Sequence, residues 1–378
     1  MTASLRVLGG VDASGSGLSL GIERGLQGAP GVDSPVLDAT GLTVVPGFID
    51  IQINGAYGHD FTEDPGSIWT VGERLPETGV TSFCPTIITA PGGTIERAQA
   101  AMASRPRGYT GAEPIGLHIE GPYISSAKRG THPADFLVPP SDASFSTDHV
   151  AIVTLAPELP GAIELITRLA PHVVVAIGHS TATAEEAEAA IEAGASLGTH
   201  LLNAMPPITA REPGIAGVLL SDERTHFGVI SDGHHHHPAT LSMMWNAAPE
   251  RFVAITDAMA AAGMTDGSYR IGSVDVLLED GAVRNSDGVL AGAASMLDRN
   301  LRVLMGTTGA TLDDAVAAVT FNPSEALGRW DIGRLQRGTR GDLTLLDGTE
   351  VVATIVGGTV VHLEEPDRMK EAPDAPAR

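Results

Sequence analysis

The 378-residue chain holds a single cysteine, Cys84, which excludes an intramolecular disulfide and any cysteine-rich zinc site. Cys84 lies in the apolar run Val80–Pro85 and reads as a small buried side chain. Lysine is almost as scarce: Lys128 and Lys370 are the two present, so arginine supplies nearly all the positive charge. With 23 basic against 46 acidic residues the formal net charge is −23, which argues against nucleic acid and against an anionic membrane surface as partners. An anionic substrate would meet an unfavourable overall field and needs a local arginine to hold it. Aromatics make up only 4% of the chain, so the core must rest on Ala, Val, Leu and Ile. No apolar run approaches the ~20 residues of a membrane span. Met1–Val7 lacks the basic-then-apolar pattern of a signal peptide, and a soluble cytoplasmic protein is the expectation.

What is present is a long α/β middle between two β-rich ends. Residues 1–45 are short apolar pieces broken by glycine turns, such as Gly15-Ser16-Gly17 and Gly28-Ala29-Pro30-Gly31, and residues 334–363 have the same texture. The termini are therefore expected to meet in one small β-sandwich domain, followed by a disordered, charged tail over 364–378. Between them, eight apolar runs read as strands: Val44–Ile53, Val80–Thr86, Ile115–Ile119, Val150–Leu155, Val173–Ile177, Ala195–Thr199, Thr225–Ile230 and Phe252–Thr256. Helices alternate with most of them. In one, Thr183 and Glu186 form a capping box, Ala187, Ala190 and Ile191 supply the apolar face, and Gly194 ends the helix. Eight such β/α units predict a (β/α)8 TIM-like barrel over 46–333, with its active site at the C-terminal ends of the strands. An Asp280-Gly281 turn predicts a hairpin within Tyr269–Gly288, and Thr311 is placed to cap a helix running to about Val319.

Glu120, His179 and His200 each close an apolar run, where a barrel strand delivers them to its mouth. One carboxylate and two imidazoles suit a catalytic zinc with an open position for water. The 21 residues between His179 and His200 are the length of one helix-plus-strand unit, which places them on neighbouring strands. Asp257, at the end of a later run, can take that water's proton. Taken singly, a strand-end histidine is more often a satisfied polar residue than a ligand; it is the grouping that points to a metal-dependent hydrolase.

The segment Pro46–Gly55 resembles the opening strand of the amidohydrolase superfamily, with Gln52 and Asn54 where a His-x-His pair usually ligates a metal. Neutral amides are weak ligands, so these are degenerate second-metal positions and one ion is expected. An ordered set of segments makes the resemblance specific. It comprises Leu117–Pro122, Lys128–His132, Gly178–Ser180, Thr199–Met205, Arg211–Gly214, Asp232–His235, Thr256–Ala258 and Leu290–Gly292. Together they resemble the N-acetylglucosamine-6-phosphate deacetylase family of that superfamily.

The resemblance implies one divalent ion per subunit, zinc by preference, on Glu120, His179 and His200, with Asp257 as acid and base. It implies that Thr131 and His132 lie beside the acetyl group and that His132 polarises its carbonyl. Asn203 and Ala204 would contact the phosphate. Arg211, reaching in from the neighbouring subunit of a homodimer, would add positive charge. Asp232, Gly233, His234 and His235 would form the sugar-binding segment, with His235 on the sugar, and Leu290, Ala291 and Gly292 would line the pocket. The implied reaction releases acetate and glucosamine 6-phosphate, in amino-sugar catabolism and cell-wall recycling.

Alternatives stay open at this point. They are a sister amidohydrolase acting on a galactosamine derivative or a cyclic amide, and a silent barrel that only binds. Arg211 can equally be a surface arginine paired with Glu212. Of the four consecutive histidines 234–237, His234, His236 and His237 read as loop residues. Ser125–Phe136, with its Gly and Lys-Arg content, reads as a mobile lid.

Overall fold

A computed structural model describes residues 4–29, 34–271 and 274–371. Eight parallel strands form the central barrel: β1 (Phe48–Ile53), β2 (Val80–Ile88), β3 (Leu117–Glu120), β4 (Val150–Leu155), β5 (Val174–Ile177), β6 (Leu197–Gly198), β7 (His226–Ile230) and β8 (Phe252–Ile255). Each pairs with the next from β1 to β8. The last gap closes where Asp257 N–H donates to Gln52 O at 2.9 Å and Asn54 N–H to Ala258 O at 2.7 Å. Strand alternation sorts the side chains. Ile49, Ile51, Cys84, Ile152, Ala176, Ile230 and Ile255 pack in the barrel interior, while Phe83, Val153, Val175, Phe227 and Phe252 face the helices. The capping box of helix Ala184–Glu192 forms as read, with Thr183 Oγ1 accepting from Glu186 N–H and Ala187, Ala190 and Ile191 buried. Thr311 caps Leu312–Val319 in the same way, with Asp314 as its partner.

The first predicted strand proves to be two. Thr43–Pro46 pairs with Leu343–Leu346 in the terminal sheet, and the barrel strand begins only at Phe48. Gly47 makes the break, because a Cβ there would lie 2.1 Å from Thr81 Oγ1. Nine strands from both termini make up the terminal sheet, which is separate from the barrel and largely antiparallel. Leu5, Val7, Ile22, Leu37, Val44, Leu343, Leu345 and Ile355 bury its core.

The expected tail needs correction. Met369–Lys370 forms a strand on Val36–Leu37, and Arg368 donates to the carbonyls of Asp38 and Thr40, so the first part of the expected tail is fastened to this sheet. Met369 packs against the sheet's core, an anchor that the surrounding charges concealed. Residues 372–378 lie outside the described residues, as do Pro30 and Gly31 of one expected turn.

After β8 comes a three-stranded antiparallel sheet, Gly267–Ile271, Val274–Glu279 and Ala282–Asn285. Asp280 and Gly281 both have positive φ, 51° and 78°, the conformation of a type I′ hairpin turn. Its apolar face packs on Met259–Ala261 and Ala291, making a wall beside the barrel mouth. Among the described residues, no helix is long and apolar enough to cross a membrane.

Candidate active site

Three strand ends converge in the barrel. Glu120 is the last residue of β3, and His179 and His200 stand two residues beyond β5 and β6. Both histidines adopt positive φ, 49° and 30°, and so does Asp257 at 50° two residues beyond β8. Non-glycine residues rarely adopt this conformation, and here it turns each side chain into the mouth. Gly178 permits the close approach of β5 to its neighbours, since a Cβ there would come within 2.7 Å of Thr199.

Glu120 Oε1 lies 3.0 Å from Nε2 of both His179 and His200, and the two Nε2 atoms are 3.0 Å apart. All three residues are buried. Burial raises the Glu120 carboxyl, but hydrogen bonds from the two imidazoles outweigh it and hold the group well below the usual carboxylate range. His179 Nδ1–H donates to Lys128 O at 2.8 Å, so a cation that displaces the Nε2 proton would find that nitrogen's lone pair facing the Glu120 oxygen. Lone pairs converging on one point from a carboxylate and imidazoles are the donor set of a divalent cation, and these residues fit one.

Gln52 and Asn54 act as hydrogen-bond donors. Asn54 Nδ2 donates to Asp257 Oδ1 at 2.7 Å, and Gln52 Nε2 lies 3.2 Å from both Asp257 Oδ1 and Glu120 Oε1. Burial, followed by the Glu120 charge, pushes the Asp257 carboxyl up to about 6. Beneath it, Thr256 Oγ1 donates to Asp50 Oδ2 at 2.6 Å.

His132 is buried with its ring 4.5 Å from that of His179. Its Nδ1 accepts from Thr89 N–H at 3.3 Å and lies 2.8 Å from Thr89 Oγ1. Because a backbone N–H only donates, the ring proton belongs on Nε2. Burial, then the neighbouring His179, lowers the imidazole to about 3, so it is a neutral donor.

These groups share a cavity of about 350 Å³. Thr131, Asn203, Ala204 and His235 also line it, and Leu290, Ala291 and Gly292 line it from the side of the three-stranded sheet. His235 Nδ1 donates to Asp232 Oδ2 at 2.8 Å, while Asp232 Oδ1 accepts the backbone N–H groups of His234 and His235. Asp232, Gly233 and His234 do not themselves line the cavity, and neither does Gln52. Arg211 is exposed, is not among the lining residues, and has no hydrogen bond or ion pair among the described residues. It does not pair with Glu212, whose Oε1 accepts from Ala184 N–H and Gly214 N–H instead. A second cavity of about 370 Å³ is lined by Ile87, Tyr123, Phe136 and Phe145 among others. None of the buried ionisable groups described above reaches it.

Several residues with clear jobs escaped the sequence reading. His118 lies below Glu120, its Nδ1–H donating to Ile51 O at 3.1 Å and its Nε2 2.7 Å from Thr154 Oγ1, which in turn is 2.7 Å from Thr199 Oγ1. Burial lowers it to about 4, so it is a neutral interior residue. His236 is buried with Nε2 3.3 Å from Asn203 Nδ2, and His237 Nδ1 caps the helix Pro238–Ala247. The period-2 alternation His118, Glu120 was the available signal for the first; nothing local marked the others.

An amidohydrolase family model matches residues 43–361. The chain belongs to the amidohydrolase family. Within it, the chain is similar to N-acetylglucosamine-6-phosphate deacetylases. The enzyme of that name from Rattus norvegicus is 38% identical over 350 residues, spanning 87% of this chain and 85% of that protein. The N-acetylgalactosamine-6-phosphate deacetylase of Escherichia coli O157:H7 is 37% identical over 312 residues, spanning 80% and 83%. Among solved structures, a mutant N-acetyl-D-glucosamine-6-phosphate deacetylase from Mycobacterium smegmatis, in complex with N-acetyl-D-glucosamine-6-phosphate, superposes with a TM-score of 0.83 at 32% identity. It covers 95% of this chain and 99% of that one.

Proposed function

We propose that the chain hydrolyses the acetamide of N-acetylglucosamine 6-phosphate, as a cytoplasmic homodimer serving amino-sugar catabolism and cell-wall recycling. The observation that carries this reading is the convergence of Glu120, His179, His200, Asp257 and His132 on one cavity. Glu120, His179 and His200 would hold one divalent ion per subunit, zinc by preference. When bound, such an ion lowers the pKa of water toward neutrality and polarises the acetyl carbonyl.

The protein groups do the rest. Asp257 takes a proton from the water as its oxygen attacks the carbonyl carbon. With Oδ1 engaged by Asn54, Oδ2 is the oxygen left to receive that proton. His132 Nε2–H donates to the carbonyl oxygen as negative charge develops there. Protonated Asp257 then delivers its proton to the nitrogen while the C–N bond breaks, because an amide cannot expel a bare anion. Thr131 flanks the acetyl group, and His235, oriented by Asp232 with Gly233 and His234 in its turn, holds the sugar. Leu290, Ala291 and Gly292 wall the ring. Asn203 and Ala204 meet the phosphate, and Arg211 reaches the partner's site.

The test is acetate release from N-acetylglucosamine 6-phosphate by metal-loaded, chelated and Asp257→Asn protein. Release should require the metal and fall by about 10²–10⁴ in the variant. Absence of release from the loaded wild type would sink the assignment. The resemblance to a galactosamine enzyme makes the C4 epimer the second reading. A higher kcat/KM for N-acetylgalactosamine 6-phosphate would select it.

A further inference from the structure

The pocket poses an electrostatic problem that Arg211 does not solve within one chain. A phosphosugar brings negative charge to a protein of net charge −23, into a cavity already holding Glu120 and Asp257. Of the described residues lining that cavity, Lys128 is the single lysine or arginine. Its Nζ donates to Met205 O at 3.0 Å, across 77 residues of sequence. That bond holds the ammonium beside the turn that carries Asn203 and Ala204. The group is half-buried and makes no ion pair among the described residues. The chain's other lysine, Lys370, is paired with Asp38 on the terminal sheet. Lys128 therefore presents an uncompensated positive charge, with two N–H donors to spare, inside an acidic protein.

Resting on the phosphosugar reading above, we infer that the Lys128 ammonium binds the substrate phosphate from within the same subunit, beside Asn203 and Ala204. An ammonium acts on phosphate as a compact point charge and needs no bidentate geometry. The backbone of the same residue does something else, its carbonyl accepting from His179 Nδ1–H. Side-chain substitutions leave that carbonyl in place, so phosphate binding and support of the ligand set can be separated by experiment.

The experiment compares wild type, Lys128→Gln and Lys128→Arg on N-acetylglucosamine 6-phosphate and on unphosphorylated N-acetylglucosamine. Inorganic phosphate serves as competitor, and bound metal is measured in each protein. A hydrogen bond between charged groups predicts that KM for the phosphosugar rises about 10–100-fold in Lys128→Gln. Inhibition by phosphate should weaken in step. The kcat, the metal content and kcat/KM for the unphosphorylated sugar should hold, and Lys128→Arg should recover most of the loss. Glutamine can still donate to Met205 O, so a lysine that merely tethers the loop would leave the phosphosugar KM unchanged. That result overturns the inference, as does an equal loss on both sugars. If wild type itself shows no preference for the phosphosugar, the substrate assignment falls and the inference with it. A strong preference in wild type that Lys128→Gln retains overturns the inference alone.

Discussion

Asp257 must be anionic to accept a proton and acidic enough to return it, and its surroundings pull in both directions. Burial and Glu120 push it up to about 6, while the Asn54 amide, bonded to Oδ1, stabilises the anion. Because the ionised form starts the reaction, kcat/KM should fall as pH drops through the Asp257 pKa, and a bound divalent cation would set that limb below about 6. Removing a donor to the anion raises the pKa further. Asn54→Ala should therefore move the acid limb of the pH–rate profile upward by roughly one unit; a limb that stays where it was would show that Asn54 does not tune Asp257. At the carbonyl, His132→Gln loses the oriented Nε2–H and should cost about 10²–10³ in kcat with metal content unchanged; a drop under tenfold would remove it from the oxyanion role. The strand-end residues were legible because each follows an apolar run. Thr89 and Lys128 were not, since their partners lie 43 and 77 residues away in sequence and only the closed barrel joins them.

Turns and breaks set the boundaries of the elements. Gly47 separates a strand of the terminal sheet from β1, and its N–H donates to Asp342 O at 2.9 Å while Thr81 fills the space where a Cβ would be. Gly47→Ala overpacks this junction and should cost about 1–3 kcal/mol, measured by urea unfolding of the chelated protein; a stability equal to wild type would mean that the junction relaxes freely. The barrel strands were readable because buried parallel strands are continuous apolar runs. The same continuity hid the boundary at Gly47, where Val44–Ile53 reads as one segment although two sheets share it. The C-terminal edge was hidden for the opposite reason. Charged residues flank Met369, and only the exposed edge at Val36–Asp38 gives that segment a partner.

For the whole molecule, the open question is how far one subunit suffices. Arg211 projects from an exposed loop without a partner among the described residues of its own chain, and Ile208 on the same loop is 41% exposed. A cation with nothing to pair with, beside exposed apolar surface, is what an isologous interface would use. In a homodimer with Arg211 acting across it, Arg211→Ala and Asp257→Asn subunits are each defective alone but complementary when mixed. The Asp257-bearing site of a mixed dimer receives Arg211 from its neighbour, whereas the other site has neither group. Random reassortment makes half the dimers mixed with one live site each, so activity should return to about a quarter of wild type. An arginine acting within its own chain would give no recovery, because every site would lack one of the two residues. Mixing the separately purified variants, after dissociation and reassociation, and assaying at subsaturating phosphosugar distinguishes the two arrangements. A monomer by sedimentation would remove the trans role altogether and leave Lys128 as the one cation lining the site.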